Sequence, residues 1–427
     1  MLSQSDHVLL SQTGPQTTMG TFLRQFWTPA ILSEELPEAD GAPVRVRLRG
    51  ENLIAFRESS GKVGLVGEHC PHRGASLYFA RNGEGGLRCW LHGWKFDIHG
   101  TCLDMPSEPA GSRFKEKIRH LSYPCIERNG AVWAYMGPRD SMPPLPNLEW
   151  LTVPASHTYC SKYLRRCNWL QGLEGDIDSA HLPFLHQTAI DRSTEMGGRS
   201  SSQWLLENPA PNYTLERIPS GMIYVAERQL DSSTIYWRVS QWFFPNFTTI
   251  SSFAGDSPLY GHSWVPLDDE NCWVYAFAYH PTRPLRSDEI TAMRRGNALF
   301  NKVIPGTYLP VCNRDNDYAG PNAPQVKQPW IGVLDFQDQD TAATESMGPM
   351  YDRTKEHLGA SDAAVISTRR RLIAEAKALA AGGPKVGANP EDYAYRSFCV
   401  KAPSNLSWRE AVQDAIVARP DTYRHSD

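Results

Sequence analysis

The strongest constraint on this chain is a pair of short segments that each contain one cysteine and one histidine. Residues 70–74 read Cys-Pro-His-Arg-Gly, and residues 89–94 read Cys-Trp-Leu-His-Gly-Trp. Thiolate and imidazole together favour zinc or an iron–sulfur centre. A zinc finger usually has two cysteines in one half and two histidines in the other, whereas here each half offers one of each. This mixed pairing favours two irons, one held by two cysteines and the other by two histidines.

The predicted cluster ligands are Cys70, His72, Cys89 and His92. A zinc site, or two unrelated turns, are the alternative interpretations. The complete strings, Cys-Pro-His-Arg-Gly and His-Gly-Trp-Lys-Phe-Asp, match the Rieske motif, and here the chain resembles the Rieske oxygenases. The resemblance implies a [2Fe–2S] cluster with a potential of roughly −150 to +300 mV, which suits a centre that receives electrons from a reductase.

Length and composition exclude several classes of protein. A chain of 427 residues is too long for one ordinary core, which favours two domains. The net charge of −4 gives no electrostatic sign of binding to nucleic acid or to an anionic membrane. The sequence has neither a signal-peptide pattern nor a run of 18 apolar residues. Nine cysteines, an odd number, favour metal binding over a disulfide framework. The expected location is the cytoplasm.

A second candidate metal site lies in the segment 168–186, whose pattern predicts a helix. Asp178 and His181 are three residues apart, so they share a face of a helix. His181 and His186 are five apart, which on an ideal helix separates them by about 140°. Pro183 lies between them and should distort the turn, which would let both reach one metal. Two histidines with one carboxylate form a triad that leaves iron positions open for O2. Taken alone, the segment also fits a surface pair on a helix.

The segment also matches the Asp-x-x-His-x-x-x-x-His motif of the Rieske oxygenases, which implies that His181 and His186 bind a mononuclear Fe(II). In that family the iron carboxylate precedes a glutamate by five residues. This rule selects Asp340, because Glu345 follows it at that distance. Asp338 is the competing candidate.

Asp178 is predicted to act in catalysis without binding the iron. It is placed to accept a hydrogen bond from the free ring nitrogen of His181, as carboxylates beside metal-binding histidines commonly do. In the family, the equivalent Asp also contacts a cluster histidine of the neighbouring subunit, and the match here is His92. The resemblance therefore implies that electrons cross between subunits.

The predicted fold class is α+β. Closely spaced short strands over 44–137 predict an all-β Rieske domain. Beyond a proline-rich break the pattern is mixed, with the clearest strands at 235–239 and 273–277 and a long helix from about 362 to 380, which predicts a catalytic domain with an antiparallel sheet flanked by helices. The predicted division is 1–40 as a segment packing on the catalytic domain, 41–140 as the Rieske domain, 141–155 as a linker and 156–427 as the catalytic domain.

Within the family the resemblance is closest to the phthalate dioxygenase group, which acts on aromatic carboxylates. It is carried by the runs 19–30, 104–109 and 338–348. It implies O2 as co-substrate and NADH as electron source, delivered by a reductase with flavin and a plant-type [2Fe–2S] cluster, with or without a ferredoxin. It also implies a homo-oligomer, a trimer or a dimer of trimers.

Two reactions fit this resemblance. One is hydroxylation of a phthalate-like or substituted benzoate-like acid. The other is oxidative O-demethylation of a methoxylated aromatic acid. An iron–sulfur electron-transfer protein without catalysis and a zinc-binding regulatory module are alternatives of another class. Arg238, mid-strand among aromatic residues, is the first candidate for binding the substrate carboxylate, and Arg228 is the second.

Overall fold

The computed structural model describes residues 2–187, 203–251, 255–297, 299–319, 333 and 335–424. The chain forms two compact units, Thr13–Met142 and a second unit that combines Met1–Gln12 with Pro143–Asp427. The sequence-based division placed residues 1–40 on the catalytic domain, whereas the structure groups only the first twelve with the C-terminal unit. The following residues are tied to the N-terminal unit, since the Arg24 guanidinium donates to the carbonyl of Arg49 and to Glu51, both at 2.8 Å.

The N-terminal unit is built from three small antiparallel sheets with strand orders β2-β3-β4-β9, β5-β6-β7-β8 and β1-β11-β10. The strands are β1 Trp27–Leu32, β2 Val44–Leu48, β3 Glu51–Arg57, β4 Val63–Gly67, β5 Arg81–Gly83, β6 Gly86–Arg88, β7 Lys95–Phe96, β8 Cys102–Asp104, β9 Ser122–Tyr123, β10 Cys125–Arg128 and β11 Ala131–Tyr135. One apolar cluster joins the two four-stranded sheets and contains both Cys70 and Cys89. Two cysteines nineteen positions apart in sequence are thus brought to the same core.

The C-terminal unit is centred on an antiparallel sheet with strand order β12-β18-β17-β16-β15-β14-β13, in which β19 also pairs with β15. The strands are β12 Thr158–Arg165, β13 Asn212–Ile218, β14 Gly221–Gln229, β15 Thr234–Phe243, β16 Phe247–Ile250, β17 Leu259–Pro266, β18 Cys272–Tyr279 and β19 Phe398–Pro403. The sheet is almost wholly buried on β15 and β18, as expected for strands covered by other elements.

Helices of the C-terminal unit pack on this sheet, and the helices of both units are given together here. The bounds are α1 Gln4–Ser11, α2 Thr18–Leu23 (in the N-terminal unit), α3 Glu149–Thr152, α4 Trp169–Ile177, α5 Leu182–Leu185, α6 Gln203–Glu207, α7 Ser287–Arg294, α8 Phe336–Ser346, α9 Ala363–Ala380 and α10 Trp408–Val412. α4 packs on β16 and β17. Gly172 makes this close approach possible, because a Cβ there would overlap the ring of Trp264. Among the described residues, no helix has the length and hydropathy needed to cross a bilayer.

The predicted fold class is confirmed, with an all-β N-terminal unit and a C-terminal unit of antiparallel sheet and helices. The strands predicted at 235–239 and 273–277 lie inside β15 and β18. The long C-terminal helix spans Ala363–Ala380, in agreement with the predicted helix from about 362 to 380. The single helix predicted over 168–186 is wrong, because the structure has two helices there with a break between them.

Candidate active site

The break between α4 and α5 shapes the first site. Asp178 is the C-cap of α4 with an extended backbone, and His181 is the N-cap of α5. The Ala180 N–H donates to the Asp178 carboxylate (2.7 Å), so the side chain supplies a turn in place of a further helical hydrogen bond. Pro183 was expected to distort the helix. It instead occupies the first turn of α5, where the missing N–H costs nothing.

The break lets two histidines reach one point. The imidazole rings of His181 and His186 are 5.2 Å apart between centroids. Asp340 on α8 lies between their inner nitrogens, with its Oδ1 3.2 Å from His186 Nε2 and 3.8 Å from His181 Nε2. One ligand atom from each residue lies within 4.8 Å of the others, as a shared metal ion requires. Residues distant by more than 150 positions in sequence are thereby brought together.

The donor atoms of this group fit a non-haem iron. His186 is fully buried, and its Nε2 faces the Asp340 carboxylate without forming a hydrogen bond of good geometry with any described residue. A nitrogen lone pair that faces a carboxylate leaves two acceptors in contact, so a cation between them satisfies both. Two imidazoles and one carboxylate that share an ion, with positions left open, are typical of Fe(II) sites that handle O2.

Hydrogen bonds on the outer side of each ring fix this arrangement. His181 Nδ1 lies 3.2 Å from Asp178 Oδ2, and His186 Nδ1 lies 2.8 Å from Gln339 Oε1. Burial raises the pKa of Asp178, but the interactions with His181 and the backbone N–H groups of Ala180 and His181 together lower it overall. Burial likewise raises the pKa of Asp340, while the nearby His186, His181 and Arg165 together lower it overall. Both carboxyl groups are therefore held in the ionised form.

Asp338, the competing carboxylate, faces away from the histidines. Two positions along α8 rotate a side chain by about 200°, which separates Asp338 from Asp340. Asp338 Oδ1 accepts a hydrogen bond from Asn301 Nδ2 at 2.6 Å. Burial raises the pKa of Asp338. Asp338 is thus a buried side chain that bonds to Asn301 and does not contact the two histidines.

The two cysteine–histidine segments form a second site with matching backbone geometry. In each loop the glycine N–H donates to the carbonyl of the cysteine four positions earlier, at 2.9 Å for Gly74 and 3.0 Å for Gly93. Each cysteine N–H in turn donates to the carbonyl five positions later, at 2.9 Å for Cys70 and 2.8 Å for Cys89. Both glycines have φ near +76°, a left-handed conformation that favours glycine.

The side chains of these loops converge on one place in the N-terminal unit. The rings of His72 and His92 have centroids 4.5 Å apart, and His72 stacks on Trp94. Burial raises the pKa of the Cys70 thiol to about 11, and neighbouring Cys89 adds to this shift, so a thiolate there needs a bound cation. The buried Nδ1 of His92 has no hydrogen-bond partner among the described residues. Two thiols and an unpartnered ring nitrogen fit a [2Fe–2S] cluster held by mixed ligands.

The two candidate arginines have different surroundings. Arg238, on β15, lines the pocket that also contains His181 and Asp340. Arg228, on β14, donates from Nη2 to the carbonyl of Ser179 (2.7 Å) and is absent from the described lining of that pocket. Burial together with the charge of Arg238 lowers the pKa of Arg228 to about 10. The structure therefore places only the first candidate beside the histidines, while the second supports the turn between α4 and α5.

Three residues at this site were not found from the sequence. Gln339 contacts His186, Tyr213 contacts the break between α4 and α5 through the Ser179 N–H (2.8 Å), and Arg165 donates to the carbonyl of Asp340 at 3.0 Å. The sequence signal for Gln339 is only that it is adjacent to the predicted ligand Asp340. Arg165 on β12 and Tyr213 on β13 carry no sequence signal for their contacts at this site.

Comparisons with known proteins agree with this architecture. Residues 26–122 match the family model of the Rieske [2Fe-2S] domain, and residues 134–423 match that of the LigXa C-terminal domain like family. The fold also resembles the crystal structure of dicamba monooxygenase bound to 3,6-dichlorosalicylic acid, with a TM-score of 0.58 at 16% identity over 84% of this chain and 99% of that one. The fold and the two sites define a Rieske non-haem iron oxygenase.

Relatives with curated functions narrow the class. The chain is 35% identical to the phthalate 4,5-dioxygenase oxygenase subunit of Pseudomonas putida over 100% of both chains. It is 34% identical to the 3-chlorobenzoate-3,4-dioxygenase oxygenase subunit of Comamonas testosteroni over 97% of this chain and 99% of that one. It is 30% identical to the 5,5'-dehydrodivanillate O-demethylase oxygenase subunit of Sphingobium sp. over 90% of this chain and 82% of that one. This chain belongs to the phthalate dioxygenase group of the Rieske oxygenases, as an oxygenase (α) component.

Proposed function

We propose that this protein hydroxylates an aromatic carboxylate, phthalate-like or benzoate-like, with O2 and with electrons that come from NADH through a reductase. The observation that carries the proposal is the position of Arg238, which lines the same pocket as His181 and Asp340. A buried guanidinium matches a carboxylate with two parallel hydrogen bonds. One pocket then contains both a group that recognises an acid and a site for the metal that oxidises it.

The walls of this pocket include side chains that suit an aromatic ring. Its apolar lining comes from Ile177, Leu182, Ile250, Trp264, Leu299 and Phe336. Apolar and aromatic walls exclude water from the ring, and polar groups such as Arg238 fix its direction.

We assign separate roles to the residues of the two sites. His181, His186 and Asp340 hold the mononuclear iron; Cys70, His72, Cys89 and His92 hold the cluster. When bound, the iron supplies the activation of O2 and the cluster supplies single electrons. Arg238 binds the carboxylate of the substrate and orients its ring. Asp178 holds the His181 ring in position and lies on the path by which electrons arrive.

The cluster receives its electrons from a separate protein. Our proposal is a reductase with flavin and a plant-type [2Fe–2S] cluster, with or without a ferredoxin. We also propose a homotrimer, or a dimer of trimers, in which Asp178 of one subunit meets His92 of the next. These proposals follow from membership of the phthalate dioxygenase group.

O-demethylation of a methoxylated aromatic acid is the second candidate reaction. The similarity to a subunit of an O-demethylase favours it, and Arg238 would recognise the acid in both reactions. The two reactions differ in which substrate atom lies nearest the iron, and therefore in pocket shape.

One experiment separates the candidates. The purified protein is combined with a phthalate-type reductase, NADH and O2 and is given a panel of benzoates, phthalates and methoxybenzoates. Products are identified by mass. A cis-dihydrodiol retains both oxygen atoms of ¹⁸O2, whereas demethylation releases formaldehyde. NADH consumption without product from any acid, alongside turnover of uncharged aromatics, would contradict the proposal.

A further inference from the structure

We propose that Gln339 is a positioning residue that sets which nitrogen of His186 faces the metal. The inference rests on the proposed function, because it takes the group of His181, His186 and Asp340 as the iron site. It assigns a specific role to a neutral amide beside one of the two histidines.

The orientation of the amide follows from its two hydrogen bonds. Gln339 Nε2 donates to the carbonyl of Val333 at 2.9 Å, which leaves Oε1 2.8 Å from His186 Nδ1. An amide oxygen only accepts, so Nδ1 must carry the ring proton. A neutral imidazole has one such proton, and His186 Nε2 is therefore left with its lone pair toward Asp340. Gln339 thus selects the tautomer that binds a metal on the inner side.

Packing fixes the plane of the same ring. His186 stacks on Phe336 with 3.5 Å between centroids and an angle of 11° between planes. The side chains of His186 and Gln339 are both 0% exposed. Phe336 and Gln339 are neighbours on one face of α8, which also carries Asp340. One helix therefore supplies a metal ligand and both contacts that hold a second ligand.

The two histidines consequently have unequal partners. His181 is hydrogen-bonded to the carboxylate of Asp178, whereas His186 is hydrogen-bonded to a neutral amide. A carboxylate partner makes an imidazole a stronger donor to a metal than an amide does. The three ligands of the site therefore differ. Asp340 is charged, His181 is the stronger imidazole donor and His186 is the weaker one.

The test compares two replacements that separate the functions of the amide. Methionine has a similar length but offers Nδ1 no strong acceptor. Glutamate retains an acceptor for Nδ1 but loses the donor to Val333.

The mononuclear iron is removed by a chelator while the cluster stays intact, and Fe(II) is titrated back without oxygen. Gln339→Met should weaken Fe(II) binding about 10- to 100-fold, whereas Gln339→Glu should bind within about threefold of the wild type because its acceptor is kept.

A role confined to holding Val333 predicts instead that both variants lose Fe(II) equally, and that result would overturn the proposal. Wild-type affinity in both would overturn it too. If the methionine variant does not fold, a loss of tenfold or more in the glutamate variant is enough to reject it. A second readout is the Fe(III)/Fe(II) potential, which should fall in Gln339→Glu because a charge is added beside His186.

Gln171→Met is the matched control. Gln171 is a buried amide that joins α4 to the end of α8, with Nε2 3.0 Å from the carbonyl of Gly348, and it does not contact either histidine. Its replacement should leave Fe(II) affinity unchanged, and an equal loss there would attribute the effect to packing and overturn the proposal. Wild-type protein that fails to bind Fe(II) at the emptied site would sink the proposed function itself, which is a distinguishable result.

Discussion

Asp178 and His181 are three residues apart and cap different helices, and their side chains meet at 3.2 Å across the break between α4 and α5. The Tyr213 hydroxyl lies 3.4 Å from the same carboxylate. The carboxylate is therefore held from two sides and can orient His181 without a continuous helix.

Asp178→Asn should keep the cluster and most of the mononuclear iron but should slow electron transfer. The amide has a similar shape without the charge, and its NH2 group can face a nitrogen that is itself a donor. We expect cluster reoxidation to slow by about 10- to 100-fold. The measurement is a single turnover with a pre-reduced cluster, started by adding substrate and O2. Reoxidation at the wild-type rate would remove Asp178 from the electron path.

Asp340→Ala should lose the mononuclear iron and all turnover, with the cluster spectrum unchanged. Two neutral histidines hold Fe(II) weakly and leave its charge uncompensated. Asp338→Ala is the control, since its carboxylate contacts Asn301 on the other side of α8 and should not be needed for iron. Iron content by metal analysis decides the matter, and the reverse pattern would mean that the carboxylate ligand is Asp338.

Arg238→Gln should raise the KM for an aromatic acid by about 10- to 100-fold, as expected for the loss of charged hydrogen bonds worth about 1.5–3 kcal/mol. The matched comparison is the corresponding aromatic amide, which has no charge to recognise. Its KM should change little. Steady-state kinetics with both compounds provide the test, and an equal effect on acid and amide would indicate general damage to the pocket.

His92→Cys should keep a bound cluster but lower its midpoint potential toward the roughly −400 mV of plant-type clusters with four cysteines. An anionic thiolate replaces a neutral imidazole and stabilises the oxidised state. His69→Ala is the control, since His69 is exposed beside the first loop and is not a predicted ligand. Redox titration monitored by EPR gives both values. An unchanged potential in His92→Cys would exclude His92 as a ligand.

Purified protein should contain about three irons and two acid-labile sulfides per chain, from one [2Fe–2S] cluster and one mononuclear iron. Brief chelation should remove about one iron and leave both sulfides, because the open site exchanges its metal more readily than the buried cluster. Iron and sulfide analysis before and after chelation tests this. Stoichiometric zinc without sulfide would contradict both site assignments.

The local sequence contains most of the information on the cluster loops. Each loop has its cysteine, its histidine and its glycine within six residues, and the left-handed glycine conformation is a property of that short segment. The strands β15 and β18 and the helix α9 were also predictable, because alternation or helical spacing of apolar residues records which face is buried.

Tertiary structure decided the rest. The break at Asp178 was not visible, because helical spacing continues across it and only the side-chain turn and the contact with Tyr213 on β13 end α4. The spacing of the residues also could not decide whether Asp338 or Asp340 binds the iron. That choice depended on the resemblance to the Rieske oxygenases. The sequence by itself determined the types of metal ligand and the cysteine–histidine spacing of the cluster loops, since these depend on neighbouring residues. Only the fold decided that other groups, such as Arg238 and Gln339, face the metal ligands. Strand register and helix rotation decide this, and both are set by packing over the whole unit.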